Sequence, residues 1–201
     1  MARSQKTNVE QSTGAENTNS SSVFKNDGSA IVIKDGKKLT SLSKEDIIKF
    51  NWLDAGTQTG VIEIKNYTDD ELKNATILFK KLSKKLHFNP KIVNNIPVLE
   101  VNLDVETKIE SIKNEEGDVY TSHKNYYNTS LLDALKSKIK SDIEDFVQIL
   151  KEKNFDIWKI YSKFNIKNTK AWKAYLQTLD NPENYIQKLE IVANINITNQ
   201  E

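Results

Sequence analysis

In VLEVNLDVETKIE, Val98 to Glu110, apolar side chains fall on Leu99, Val101, Leu103, Val105 and Ile109, while Glu, Asn, Asp and Lys occupy the positions between them. A period of two predicts a long strand with one buried face. The stretch Leu189 to Ile197 repeats the pattern through Leu189, Ile191, Ala193, Ile195 and Ile197. The period changes to three and four from Thr129 to Asn154, where Leu132, Leu135, Ile139, Ile143, Phe146 and Leu150 form one stripe. That spacing predicts an amphipathic helix, with Ser130 as candidate N-cap and Lys151 and Lys153 where cations favour the helix dipole. A helix apolar on one side needs a single broad partner, which a one-sided sheet supplies. Two strands with polar outer faces predict an antiparallel sheet wet on one side.

Shorter elements fill in around these. Val23, Phe24, Ile31, Val32, Ile33, Leu39 and Leu42, with a turn at Asp35 and Gly36, predict short strands with those residues inward. SKEDIIKFNWLDAG predicts a helix capped by Ser43, with Ile47, Ile48, Trp52 and Leu53 inward and Gly56 beyond its end. GVIEIK, Gly60 to Lys65, predicts a strand. For TDDELKNATILFKKLSKKLHFNP the local rules favour a helix. Thr68 and Glu71 make a capping box, and Leu72, Ala75, Leu78, Phe79, Leu82 and Leu86 share a helical face. Glu115 to Asn128 has no period and reads as a loop. Trp158 and Tyr161 in Phe155 to Phe164, then Trp172, Tyr175, Leu176 and Leu179 in Asn168 to Leu179, are at helical spacing, stopped by Asn181 and Pro182. Strands first, helices late and one returning strand give an α+β fold, an antiparallel sheet with a long amphipathic helix and shorter helices on one face.

Composition narrows the function more than the fold. The 201 residues suffice for one domain with a core. Met1 to Ser22 is too polar to offset its ordering entropy and is expected to be a flexible tail or linker, leaving 23–201 as a single domain. Lys and Arg number 29 against 28 Asp and Glu, so electrostatics give no argument for nucleic acid or an anionic membrane. The absence of cysteine removes disulfides, thiolate nucleophiles and Cys-ligated metals. No apolar run has the length of a membrane span.

No phosphate loop, dinucleotide fingerprint, nucleophile elbow or zinc-helix motif is present. His123, beside Lys124, Tyr126 and Tyr127, could serve as a loop acid, and His87 lies between Leu86 and Phe88; for both an ordinary surface or core role outweighs chemistry. Asp142 and Asp145 share a helix and could pair as catalytic carboxylates, but acids among lysines usually form a solvated face. The same reading is preferred for Lys80, Lys81, Lys84 and Lys85 over phosphate contacts. Trp158 and Trp172 could anchor a partner, although burial between helix and sheet is the preferred role. No catalytic residue, metal ligand or cofactor is assigned.

KSDIEDFVQILKEKNFDIWK, Lys140 to Lys159, resembles the C-terminal region of the Ger(x)C family, the lipoprotein C subunits of spore germinant receptors. Asp142, Phe146, Leu150 and Trp158 match the family pattern in register, and Phe155 stands where the family has Pro. SSVFKNDGSAIVI, Ser21 to Ile33, and the strand after Tyr185 are also similar, whereas a glycine often found at the family's end is absent. These four motif positions are expected to be mostly structural. The resemblance implies a longer protein whose lipid-modified cysteine anchors it to the outer face of the inner spore membrane, beside membrane-integral A- and B-type subunits. This chain would be its soluble C-terminal half, a non-enzymatic module for receptor assembly or signalling. The alternative is a small-molecule-binding lipoprotein domain with a pocket between helices and sheet. The resemblance also implies that Ala75 to Phe88 is a strand paired with Val98 to Glu110, against the local helix signal.

Overall fold

The computed structural model of the chain describes residues 22–26, 29–34, 36–117, 119–120 and 127–199. Outside them lie Met1 to Ser21 of the expected tail, Asp35 of the first turn, and His123 with Lys124 and Tyr126; the side chains of Val23 and Phe24 are likewise not described. Strands β1 (Ser22–Asn26), β2 (Ser29–Lys34) and β3 (Lys37–Leu42) make an antiparallel meander. Gly36, at φ 75°, turns β2 into β3 in a conformation that costs glycine little. Ala30, Val32 and Leu42 are buried, but Ile31 and Leu39, expected inward, are exposed. A strand here has one dry face, so adjacent apolar residues cannot both use it.

Ser43 caps α1 (Lys44–Phe50) in a capping box: it accepts from Asp46 N at 3.1 Å, and its own N–H donates to Asp46 Oδ2 at 2.8 Å. The helix ends well before Gly56. Trp52 and Leu53 therefore enter the core from the turn that follows, and Ile48, expected inward, is 44% exposed.

The second sheet runs β4 (Gly60–Tyr67), β5 (Ala75–Val93), β6 (Ile96–Lys113), with β7 (Val119–Tyr120) on β6. The long hairpin of β5 and β6 turns through Asn94 and Asn95, both at positive φ, 50° and 64°. Two such residues suit the twist of a two-residue hairpin, and asparagine tolerates them. Ala75–Phe88 is thus strand, as the family resemblance implies and the local helix signal does not. The expected capping box at Thr68 and Glu71 is replaced by a tight loop. Asp69 Oδ1 accepts from Glu71 N at 2.9 Å and Leu72 N at 2.8 Å, and Thr68 Oγ1 accepts from Asn74 N at 3.0 Å. Those donors are diverted before a helix can start.

Helix α2 (Thr129–Lys153) is capped by Asn128, whose side chain accepts from Leu131 N at 2.8 Å, and not by Ser130 as expected. Helix α3 (Ile160–Gln177) kinks at Asn168, matching the two expected helical stretches. Asp156, not a residue at the helix start itself, caps it by accepting from Ile160 N at 2.7 Å and Tyr161 N at 2.8 Å. A 3-10 segment, Pro182–Lys188, leads to β8 (Glu190–Asn199). This last strand joins β6 in parallel, Val98 opposite Glu190 through Thr107 opposite Asn199, a departure from the antiparallel sheet expected. The crossover through α2 and α3 returns the chain to the same end of the sheet and leaves no hairpin geometry available. The fold is α+β, with Leu99, Val101, Leu103 and Val105 of β6 and Leu135, Ile139, Ile143, Phe146 and Leu150 of α2 in one buried cluster.

Candidate interaction site

A seven-residue helix is marginal on its own, because nucleation costs more than so few hydrogen bonds return. The C-terminal end of α1 is instead held by side chains from three directions. From α2, Asp142 accepts the indole N–H of Trp52 at 3.1 Å and Lys138 Nζ at 2.5 Å. From the turn after α2, Trp158 Nε1 donates to Phe50 O at 3.2 Å, and its ring lies 5.0 Å from that of Phe146, which in turn lies 5.8 Å from Phe50. From β5, Lys84 Nζ donates to the carbonyl oxygens of Asn51, of Trp52 at 3.2 Å and of Asp54 at 2.5 Å. Carbonyls that a helix end leaves without partners are satisfied in this way. Lys49 adds an exposed ion pair with Asp145 at 2.9 Å, which contributes little in water.

Three of the four motif positions, Asp142, Phe146 and Trp158, thus meet at the end of α1, and the fourth, Leu150, is fully buried on α2. Asp142 is 3% exposed and Asp145 faces solvent with its own lysine, so the two carboxylates do not share a cleft as an acid and base would. His87 is exposed on the wet face, paired in register with Asn102. Trp158 and Trp172 are both buried, the latter among Tyr161, Phe164, Tyr175 and Tyr185.

The lysine run departs from the solvated face expected. Lys80 and Lys85 are exposed, but Lys81 and Lys84 are buried beneath α1 at 4% and 5% exposure. The signal was present once the segment is a strand. Lys81 has the parity of Ile77 and Phe79, and Lys84 that of Leu86 and Phe88, with a register shift between Lys81 and Ser83 that turns both inward. Burial pushes the Lys84 ammonium down to about 8, with Lys81 nearby adding to the shift and Asp54 opposing it. The folded chain then releases this proton at lower pH than the unfolded chain, whose lysine keeps the ordinary value of 10.5. Between these values the unfolded state binds more protons, so this group makes unfolding free energy rise with pH from about 8 upward, and the gain is lost as pH falls back. Urea melts at pH 8 and pH 9.5 should show a smaller rise in Lys84→Met than in the unchanged chain. Equal rises would remove Lys84 as the titrating group.

Between α1 and the β4 edge opens a cleft of about 80 Å³, lined by Ile48, Asn51, Trp52, Thr59, Gly60, Val61, Ile62 and Lys81. Among the described residues no group of three His, Asp or Glu is placed to hold a metal, and no helix is long and apolar enough to cross a membrane.

The comparisons with known proteins agree with this architecture. The family model for "Spore germination B3/GerAC like, C-terminal" matches residues 27–200. A search of curated proteins found no match. The crystal structure of the GerBC protein superposes with a TM-score of 0.67 at 17% identity, covering 86% of this chain and 51% of that one. The chain therefore spans about half the length of GerBC, and at that identity the likeness concerns the fold alone. With a family model matched from β2 to β8, the chain belongs to the spore germination B3/GerAC-like C-terminal family.

Proposed function

We propose that this chain is the C-terminal module of a spore germinant receptor C subunit and works by protein contact, without catalysis, in receptor assembly or in signalling during germination. The family match over residues 27–200 carries the reading. It is supported by the fate of the polar groups that could do chemistry: Asp142, Asp156 and Lys84 each hold a helix end in place. In the full-length protein, residues 23–201 act as one unit behind a linker at 1–22. A lipid anchor holds that protein at the outer face of the inner spore membrane beside the A- and B-type subunits. The exposed side of α2, where Lys140 and Glu144 form an outward pair, is the first contact face to test.

Full-length lipid-anchored protein is expected to co-purify with the membrane-integral subunits from spore membranes, and Lys140→Glu or Glu144→Lys variants that still fold are expected to lose them. Wild-type protein that brings down neither subunit would overturn the reading. Unchanged assembly and germination in both variants would move the contact off α2.

A further inference from the structure

Among the described residues, Lys84 finds acceptors for its protons and the other buried lysine, Lys81, finds none. Lys81 Nζ sits 5.0 Å from the centroid of the Trp52 ring, and among the described residues it neither donates a hydrogen bond nor has a carboxylate within ion-pair distance. Asp54 acts on it only through space. The stem of Lys81 is buried, but Nζ is not sealed from solvent: it opens into the cleft, where an anion can reach it. Pairing with an anion there offsets the partial desolvation of the ammonium. Gly60 faces Lys81 across the β4–β5 ladder and lines the cleft beside it; a Cβ there would meet Lys81 Cε at 3.7 Å, an ordinary contact. The mouth is flanked by Ile48 and by Val61, which is 55% exposed.

We propose that this cleft receives a carboxylate carried on a short aliphatic stem, the carboxylate pairing with Lys81 Nζ over the Trp52 ring and the stem resting on Ile48 and Val61. The ammonium selects an anion, and the apolar rim selects an organic acid over an inorganic ion. The volume, well below the several hundred Å³ of a drug-sized pocket, limits the occupant to a few heavy atoms. A free short-chain acid and a glutamate or aspartate side chain of a partner protein both present this chemistry.

Two measurements separate them. In the first, the chain is titrated with isobutyrate while the Trp52 indole resonance is followed by NMR, with isobutyramide as the uncharged control. A saturable shift in the millimolar range is expected for the acid and none for the amide. The shift should be lost in Lys81→Met, which keeps the stem and removes the charge, and in Gly60→Val, which keeps the charge and narrows the cleft. In the second, full-length Lys81→Met and Gly60→Val are taken through the spore-membrane co-purification. A saturable shift with assembly intact assigns a free acid. Lost assembly in both folded variants assigns a partner's carboxylate, with or without a shift. No shift and unchanged assembly would overturn the proposal. Only the second measurement rests on the receptor reading, so failure of that reading leaves the titration result standing.

Discussion

Phe146→Ala is expected to lower the unfolding free energy by about 3–5 kcal/mol, the range for emptying a buried aromatic site. The side chain is fully buried, and its ring contacts both Phe50 and Trp158. It is therefore the packing link between α1, α2 and the turn that follows α2. A loss of that size is a large share of the roughly 5–15 kcal/mol available to an ordinary domain. Urea denaturation should show the midpoint falling with the slope unchanged, and tryptophan fluorescence should shift to the red as water reaches Trp158. Phe146→Leu refills most of the volume and should cost under about 1.5 kcal/mol. A loss below about 1 kcal/mol in the alanine variant would mean that α1 is not seated on this ring.

Asp142→Ala should cost about 2–3 kcal/mol by a different route. The carboxylate is buried, and its removal leaves the indole N–H of Trp52 without an acceptor, a penalty of about 1–3 kcal/mol for a buried donor. Lys138 also loses its partner, but its side chain is 43% exposed and can turn to water. Asp142→Asn keeps an oxygen for the indole and should recover more than half of the loss. A double-mutant cycle with Trp52→Phe isolates the pair, with a coupling of about 1–2 kcal/mol expected. Zero coupling, or an alanine variant within about 0.5 kcal/mol of wild type, would show that Asp142 does not hold Trp52.

Much of this architecture is legible in the chain. The alternation of Leu99 to Ile109 and of Leu189 to Ile197 marks strands, and the stripe from Leu132 to Leu150 marks the long helix, because a one-sided environment imposes its period on the residues it buries. Ser43 marks the start of α1 because a capping box is closed within a few residues. The four motif positions are legible as a pattern shared with a family, but the pattern does not say what they touch.

What escaped the sequence depends on partners distant along the chain. ATILFKKLSKKL carries a helical stripe and a strand parity at once. The choice between them is made by pairing with β6 and by Asp69, whose side chain takes the backbone donors a helix would have used. Asn128 replaces Ser130 as cap while its amide also donates to Asp69 at 3.0 Å, a contact across 59 positions. The parallel seat of β8 follows from the helical crossover, which no local pattern encodes. Lys81 and Lys84 read as solvated because a lysine's usual neighbour is water. Their burial was decided by a register shift in β5 and by the carbonyl end of α1, drawn over them by Asp142, Phe146 and Trp158. The sequence by itself determined which faces are dry and where most elements begin. Tertiary structure decided which edges meet and which polar groups are buried, because those choices depend on hydrogen-bond partners supplied from elsewhere in the chain.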